Sequence, residues 1–384
     1  MPNQKNNITP VAVAVGLAMV AVAAIGVTAY ERAGDQLLES ASSRYLSVMQ
    51  LRRDALGEHM EEVARDTQYW AGDRAIREIL ADLTVAWNQL GRGASQKLRR
   101  AYLTENPNPV GERHQLVAAR DGSDYSALHG AHHDWMRRFL EQHGYYDVFL
   151  VTPGGDVIYT AYKEDDFATN LEGGTYRESG LGQAFQGARD EAKPGSVVFA
   201  DFAPYAPSQG APAAFAASPV LAEDGTLLGV LAFQIAIEPI NQIMQAEAGL
   251  GDDGETYAVG PDLLMRSDSH LSATSTILKT RVDTPGIRAA LMGNTGVEVG
   301  PSYRGIPVLT AYGPLEFMGH TWAIAAEVGE ADVLAPIRRL RNFLVVSTVV
   351  AIVIISAIVG IALSLGLNRP APVQPAHARH KSVG

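Results

Sequence analysis

The chain has 384 residues, enough for two or three domains with hydrophobic cores. It carries 42 acidic against 31 basic residues, a net charge of −11, which argues against a nucleic-acid-binding surface because such surfaces need clustered positive charge. There is no cysteine, which excludes disulfides, thiolate metal sites and a cysteine nucleophile.

The first element is an apolar run from Asn6 to Tyr30 that contains no charged residue. At about 1.5 Å of rise per residue, a helix of this length crosses roughly 30 Å of hydrocarbon. The run therefore predicts a transmembrane helix at 10–30. A cleaved signal peptide is the alternative, because alanine-rich stretches resemble cleavage sites.

A helical pattern follows from Glu31 to about Gly91, without an internal proline. Apolar residues recur there at steps of three and four: Leu38, Ala41, Tyr45, Val48, Leu51 and Ala55. Because this stripe is poor in leucine and isoleucine, we expect the helix to pack along a globular body rather than form a free-standing coiled coil. Prolines at 107 and 109 end the pattern, and a further helix is predicted over Tyr125 to His143.

The rest of the body is rich in strand formers and falls into two halves with the same order of elements: a strand pair, a helix and three strands. The first half opens at Gly144–Tyr159, GYYDVFLVTPGGDVIY, where Pro153-Gly154-Gly155-Asp156 supplies the turn. The second half opens with predicted strands at Glu255–Val259 and Leu264–Asp268. This order predicts an α+β fold with two tandem antiparallel sheets and helices on their faces.

A second charge-free apolar run, Asn342 to Asn368, predicts a transmembrane helix at 342–367. Basic residues follow this run, and Lys5 precedes the first run. The positive-inside rule therefore predicts that both ends lie in the cytoplasm and that the body lies outside it. These features predict a two-pass membrane protein with its body outside the cytoplasm.

Seven phrases of the body carry a family resemblance. They are NPNPVGERHQL (106–116), GYYDVFLV (144–151), DFATNL (166–171), SGLGQAF (179–185), DFAPYAPS (201–208), PAAFAASPV (212–220) and GETYAVGPDLLMRSDS (254–269). In content and order they resemble the double Cache extracytoplasmic sensor domain of bacterial methyl-accepting chemotaxis receptors. The resemblance implies a long membrane-emergent helix and two PAS-like modules, of which the membrane-distal one usually holds a small-molecule ligand.

The resemblance implies a location in the bacterial inner membrane with the sensor domain in the periplasm. Together with the apolar runs it divides the chain. We expect a cytoplasmic N-terminus at 1–9, the first transmembrane helix at 10–30, an extracytoplasmic sensor domain at 31–341, the second transmembrane helix at 342–367 and a short cytoplasmic tail at 368–384. Within the sensor domain we expect a helical stalk at 31–143, the membrane-distal module at 144–245 and the membrane-proximal module at 246–335. Family members continue into a HAMP linker and a signalling domain, so we expect an output domain that is missing here or supplied by a partner in trans.

Aromatic and charged residues concentrate around the first module. A pocket for an amino acid or a carboxylate needs apolar walls, a cation and an anion. The candidate ligand-binding residues are Trp135, Arg138, Tyr146, Tyr159, Asp201, Tyr205 and Phe215. Arg138 and Asp201 are the candidate charges, and an ordinary place in the core or on the surface is the alternative for each residue. Family members that bind amino acids carry an arginine motif that His132 to Arg138 matches poorly.

His129 shares a helix face with His132 at i+3 and with His133 at i+4, but no further ligand is placed by spacing to complete a metal site. No nucleophile–base pair stands out either, so we expect no enzyme, no metal and no cofactor. The sequence predicts a membrane-anchored, homodimeric sensor of the chemoreceptor type for an amino acid, an organic acid or an amine. The alternative is a scaffolding or dimerisation protein without a ligand.

Overall fold

The computed structural model describes residues 8–246, 249–250 and 254–367. The chain divides into two units: a larger unit, Ala41–Asp332, and a terminal unit formed by Met1–Ser40 and Val333–Gly384. Both sheets lie in the larger unit, and both apolar runs belong to the terminal unit.

The terminal unit contains the start of α1 (Ile8–Gly72) and the whole of α9 (Ala335–Leu367). Among the described residues, one stretch, Ala335–Ala357 with a mean hydropathy of 2.1, is long and apolar enough to cross a membrane. The span predicted at 10–30 therefore stays a prediction. The segments 1–7 and 368–384, which belong to the predicted cytoplasmic ends, lie outside the described residues.

The helix predicted from Glu31 to Gly91 is two helices. Helix α1 ends at Gly72, and α2 spans Arg74–Gln89. The residue between them, Asp73, caps α2 because its carboxylate accepts a hydrogen bond from the Ala75 N–H at 2.8 Å. Glycine is a poor helix former and aspartate a favoured N-cap, so the sequence at 72–73 carries the interruption. Helices α3 (Ala94–Arg99) and α4 (Asp124–His143) follow, and the second of these confirms the predicted helix.

Within the larger unit, α1 packs along the body. One side of the helix is buried, at Tyr45, Val48, Met49, Leu56, Met60, Val63 and Ala71. Leu51, which the predicted apolar stripe includes, is instead 56% exposed. Near the start of this contact, the Arg44 guanidinium donates a hydrogen bond to the Gly249 carbonyl at 2.9 Å, and the Tyr45 hydroxyl donates to the Leu250 carbonyl. The helix thus touches the second module directly.

Two antiparallel sheets form the modules. The first contains β1 (Tyr145–Val151), β2 (Val157–Thr160), β3 (Val198–Tyr205), β4 (Ala211–Leu221) and β5 (Leu227–Ile235), in the order β2-β1-β5-β4-β3. The second contains β6 (Glu255–Val259), β7 (Gly296–Pro301), β8 (Pro307–Phe317) and β9 (His320–Gly329), in the order β6-β9-β8-β7. The two orders match strand for strand, except that the first sheet has β2 as an additional edge strand. The predicted repeat of two small antiparallel sheets is therefore confirmed.

The strand predicted at Leu264–Asp268 is present only as isolated bridges, which join Val259 to Met265 and Leu264 to Arg281. The backbone of this segment bonds on both sides without forming a regular ladder. The Arg266 N–H donates to the Ala258 carbonyl at 2.7 Å, and the Met265 N–H donates to the Thr280 carbonyl at 3.1 Å.

Each sheet buries one face against a helix. Helix α5 (Gly180–Glu191) covers the first sheet and α7 (Pro285–Leu291) covers the second. The remaining short helices are α6 (Ile237–Met244), after β5, and α8 (Glu330–Val333), after β9. Glycines begin α5 because the space is limited: a Cβ at Gly182 would lie 2.1 Å from the Arg177 carbonyl oxygen, and one at Gly180 would lie 3.0 Å from the Phe215 ring.

Candidate functional site

Three buried carboxylates lie beside the edge of the first sheet. Asp147 is on β1, and Glu164 and Asp166 are in the segment that follows β2. Their exposed fractions are 1%, 7% and 0%. We call these three residues the acid cluster. Carboxylates are almost never buried to this degree without partners, so their hydrogen bonds decide what the cluster can do.

The three carboxylates differ in how far hydrogen bonds satisfy them. Asp147 accepts backbone N–H groups of Val148 at 2.7 Å and Ala161 at 2.8 Å. Glu164 and Asp166 accept from side-chain hydroxyls instead: Tyr146 and Ser208 donate to Glu164 at 2.8 and 2.5 Å, and Tyr205 donates to Asp166 Oδ2 at 2.6 Å. The other oxygen of Asp166, Oδ1, has no hydrogen-bond partner in the described part of the chain.

A buried amide adds a second unsatisfied acceptor on the same face of the sheet. Gln234 on β5 lies in register with Asp147 on one side and with Phe215 on the other. Its side chain is 4% exposed, and its Oε1 has no hydrogen-bond partner among the described residues. A buried polar atom without a partner costs on the order of 1–3 kcal/mol, so this face holds acceptors that a donor would stabilise.

Burial also shifts the protonation of the cluster. It raises the pKa of Asp166 to about 7, and the Tyr205 hydroxyl opposes this shift by hydrogen bonding to the ionised form. It raises the pKa of Asp147 well above its ordinary range, and repulsion from Asp166 and Glu164 adds to this effect. Near neutral pH, the buried interior therefore disfavours a fully ionised cluster unless a cation is added.

One buried cation, Lys163, lies next to the acid cluster in sequence. Its backbone is left-handed, with φ of 54°, and its ammonium is fully buried. The Nζ atom donates to the Ala161 carbonyl at 3.1 Å and lies 3.1 Å from His133 Nε2. Burial lowers the pKa of Lys163 to about 7, although the attraction of Asp147 opposes this shift. Because this lysine loses its proton easily, its positive charge neutralises the negative charge of the three carboxylates only in part.

The opposite face of the sheet has a separate polar layer, made by helix α4. His133 Nε2 lies 2.6 Å from the His114 carbonyl oxygen, and its Nδ1 lies 2.8 Å from the Tyr159 hydroxyl. His129 stacks on His133 with a ring-centroid separation of 4.7 Å. Burial lowers the pKa of His133 to about 3, so the imidazole is neutral. Among the described residues, no group of three or more acidic, histidine or cysteine side chains is arranged to hold a metal ion.

The structure brings three of the seven predicted site residues to the acid cluster. Tyr146 donates to Glu164, Tyr205 donates to Asp166, and the Phe215 ring lies 4.9 Å from the Tyr205 ring. All three line the region where the unsatisfied acceptors lie.

The other four predicted residues lie elsewhere. Tyr159 pairs in register with Leu150 and contacts His133, so it faces α4 rather than α5. Trp135 packs on α1, with its ring 5.8 Å from the Trp70 ring. Arg138 is exposed on α4. Asp201 binds the Arg266 guanidinium at 2.9 Å and accepts from the Trp322 indole N–H at 3.2 Å, both in the second module.

Sequence reasoning missed Asp147, Lys163, Glu164, Asp166 and Gln234. The signal for Asp147 was present, since a charged residue interrupts the apolar strand YYDVFLV. Lys163 to Asp166 reads KEDD, a run that usually marks a solvated surface, and only the fold places three of its four side chains in the interior.

Comparison with solved structures found chemoreceptor ligand-binding domains. The ligand-binding domain of the Pseudomonas aeruginosa amino acid chemoreceptor PctC, solved with GABA, is 16% identical over 66% of this chain and 96% of its own, with a TM-score of 0.37. Methyl-accepting chemotaxis protein X is 15% identical over 77% of this chain and 99% of its own, with a TM-score of 0.44. The ligand-binding domain of the Pseudomonas fluorescens chemoreceptor CtaA, solved with L-serine, is 14% identical over 66% of this chain and 93% of its own, with a TM-score of 0.34.

No protein-family model matches the chain. A search of curated protein sequences also found no match. Because the structural similarities have TM-scores below 0.5, the function proposed next rests on contacts within this chain.

Proposed function

We propose that the protein is a membrane-anchored extracytoplasmic sensor whose first module binds a small ligand with a cationic amine at the acid cluster. The observation that carries the proposal is the pair of unsatisfied acceptors, Asp166 Oδ1 and Gln234 Oε1, beside three buried carboxylates. An ammonium group supplies three donors and one positive charge, which is what this arrangement lacks.

The ligand class follows from the charges. Three carboxylates are buried in the cluster, and the Lys163 ammonium contacts His133 and the Ala161 carbonyl instead of pairing with them. The cluster therefore favours an amine or the amino group of an amino acid over an organic acid without an amine. Phe215 and Tyr205 supply an apolar wall for the body of such a ligand. This choice narrows the predicted ligand classes to the two that carry an ammonium group.

Binding requires the segment that covers the cluster to move, since the three carboxylates are buried. Lys163 and Ala168 in this segment hold left-handed backbone, with φ of 54° and 56°. Such conformations cost on the order of 1 kcal/mol each for residues with a side chain. The segment therefore stores strain that a ligand-bound arrangement can release.

Helix α1 is the element through which we propose that occupancy is transmitted. It contacts the first module through Asp66, which accepts hydrogen bonds from the Tyr145 hydroxyl and His143 Nδ1 at 3.0 Å each. It contacts the second module near Tyr45, and its chain continues toward the predicted first span. A ligand moves this helix only if it binds one packing arrangement more tightly than the other.

We propose a two-pass protein of the inner membrane with the sensor body at 31–341 in the periplasm, acting as a homodimer. Ligand occupancy is transmitted across the membrane, as in chemotaxis signalling. The sensor role is proposed in preference to an enzymatic one because the described polar groups are arranged to bind charge.

Calorimetry on the full chain in lipid nanodiscs, with a panel of primary amines, amino acids and organic acids, tests the proposal. We expect one or more ammonium-bearing compounds to bind, and Asp166→Asn to weaken that binding at least tenfold, since a hydrogen bond to a charged group contributes about 1.5–3 kcal/mol. Asp165→Asn is the matched control, because Asp165 is the exposed neighbour. A folded protein that binds nothing in the panel at millimolar concentration would favour the scaffolding alternative.

A further inference from the structure

A cavity lies between the first module and the helices α1 and α2, apart from the acid cluster. It has a volume of about 450 Å³ and lies where α1 ends, α2 begins and the turn between β4 and β5 meets the loop after α5. We call it the α1–α2 cleft. Its lining shares no residue with the acid cluster. The volume is within the range of small-molecule sites, which is roughly 300–1,000 Å³.

The cleft contains polar groups that lack partners. Ser218 is 1% exposed, and its hydroxyl has no hydrogen-bond partner in the described part of the chain. Its neighbour Ala217 belongs to the core under α5, so the Ser218 side chain points to the other face, toward α1 and α2. Arg77 lines the same cleft, is half-buried and forms no ion pair or hydrogen bond through its guanidinium to any described residue.

Gly195 lets the loop after α5 pass close to the Gln68 side chain at one wall of the cleft. A Cβ at Gly195 would lie 2.6 Å from Gln68 Nε2, and Gly195 has φ of +76°, so only glycine fits there without strain. The Gln68 amide is thereby placed beside the cleft as a further donor. Three residues with different donors therefore line one volume: a guanidinium, a hydroxyl and an amide.

The remaining walls set the size and charge of an occupant. Ala71, Pro194, Pro219 and Leu221 provide apolar surface. Glu223 is exposed at the rim and disfavours a second negative charge at that position. The lining is thus complementary to one anionic group attached to a small apolar body.

We propose that the α1–α2 cleft is a second ligand site, which binds a monocarboxylate with a small apolar body. The guanidinium of Arg77 pairs with the carboxylate, and the Ser218 hydroxyl donates a hydrogen bond to it. Because the cleft touches both sides of the break between α1 and α2, its occupant stabilises one geometry of that junction. This site is independent of the amine site, and each can fail without the other.

The test is calorimetric titration of the full chain in nanodiscs with butyrate and benzoate. We expect saturable binding at one site per chain, which Arg77→Gln and Ser218→Ala each weaken by about tenfold or more, as expected for loss of a charge-assisted hydrogen bond. Arg74→Gln is the matched control, because Arg74 is exposed on the same helix and already paired with Glu78. Butyramide, which lacks the charge, should not bind.

Two results would overturn the proposal. One is that the wild-type protein, shown to be folded by a cooperative thermal unfolding transition, does not bind butyrate or benzoate saturably. The other is binding that Arg77→Gln and Ser218→Ala leave intact, or that Asp166→Asn abolishes instead, since either outcome places the carboxylate elsewhere. Arg77→Lys keeps the charge and should retain partial binding, which separates loss of the site from loss of folding.

Discussion

Asp147 and Asp166 show how two equally buried carboxylates reach different electrostatic states. Asp147 is held by backbone N–H groups on both sides, from Val148, Ala161 and Tyr162. Asp166 has only the Tyr205 hydroxyl, and one of its oxygens is left without a partner among the described residues. Asp166 is therefore the carboxylate at which a donor from a ligand has most to contribute.

We predict that Asp166→Asn stabilises the protein above pH 7. Burial raises the folded-state pKa of Asp166 to about 7, whereas the unfolded value is near 4. The native state therefore binds more protons than the unfolded state between these values. The stability contributed by Asp166 is complete below about pH 4 and is lost as the pH rises through 7.

Urea unfolding of the wild type and of Asp166→Asn across pH 5 to 9 measures this effect. The free energy of unfolding of the variant should exceed that of the wild type at pH 8 by on the order of 2 kcal/mol, and the difference should shrink toward pH 5. Asp165→Asn should follow the wild type. A difference in the free energy of unfolding that does not change with pH would contradict the raised pKa of Asp166 in the folded state. Greater stability with weaker amine binding is the trade-off expected of a binding site.

At the scale of elements, the two sheets carry polar residues in the same row. Asp147, Gln234 and Phe215 lie in register on β1, β5 and β4. Their counterparts on β6, β9 and β8 are Glu255, Glu327 and Thr310. Burial raises the pKa of Glu327 to about 7, as it does for Asp166. The two modules therefore share a polar row as well as a strand order.

The attachment of α1 to the first module depends on aromatic packing. The Trp70 ring lies 4.6 Å from the Phe139 ring and 5.8 Å from the Trp135 ring, both on α4. Phe139 in turn packs on Phe233 of β5, at 5.5 Å. This chain of rings joins the long helix to the sheet through α4.

We predict that Trp70→Ala destabilises the protein by about 2–4 kcal/mol, because it removes a large aromatic side chain and leaves a cavity between α1 and α4. Chemical denaturation of the full chain in detergent measures the loss. The neighbouring Tyr69 is 64% exposed and serves as the control, so Tyr69→Ala should cost less than about 1 kcal/mol. Equal losses in the two variants would show that α1 does not depend on this contact.

At the scale of the whole sensor body, one buried ion pair joins the two modules. Arg266 is 3% exposed and binds both oxygens of Asp201, with Nε to Oδ1 at 3.0 Å and a terminal nitrogen to Oδ2 at 2.9 Å. Trp322 donates to the same carboxylate, and His320 Nε2 lies 3.0 Å from the Phe199 carbonyl oxygen nearby. These contacts connect β3 to β9 and to the segment after β6.

We predict that Asp201→Asn costs about 3–5 kcal/mol, because it leaves the buried Arg266 guanidinium without its main partner. Unfolding followed by tryptophan fluorescence and circular dichroism should separate into two transitions as the modules uncouple. Asp262 pairs with the same guanidinium at 2.9 Å but is far more exposed, so Asp262→Asn should cost less than about 1 kcal/mol. A single transition with an unchanged midpoint in Asp201→Asn would contradict this role of the ion pair.

Much of the architecture follows from local sequence. Alternation and turn residues locate the strands, three- and four-residue steps locate the helices, and repetition of the order predicts two sheets. The predicted helix at Tyr125 to His143 is confirmed because Ser123 and Gly144 cap its ends. These signals act over a few residues, so they can be read without the fold.

The candidate site is only partly readable in this way. Aromatic residues point to the first module, and three of the seven candidates, Tyr146, Tyr205 and Phe215, do meet at the acid cluster. Arg138 and Asp201, the predicted pair of charges, do not meet: one is exposed on α4 and the other binds the second module. The effective partner of a charge is set by contacts such as that between Asp201 and Arg266, which are 65 residues apart.

The sequence by itself determined the class of structure: apolar runs toward both ends, a long helix and a repeated antiparallel sheet, because periodicity and hydropathy are local properties. Only the tertiary structure decided which charges are buried and what they face. The run KEDD at Lys163 to Asp166 is polar in any local pattern, yet the fold buries Lys163, Glu164 and Asp166 and leaves Asp165 exposed. Burial and pairing depend on residues brought together from distant parts of the chain, and these set the pKa values and the unsatisfied acceptors on which ligand binding depends.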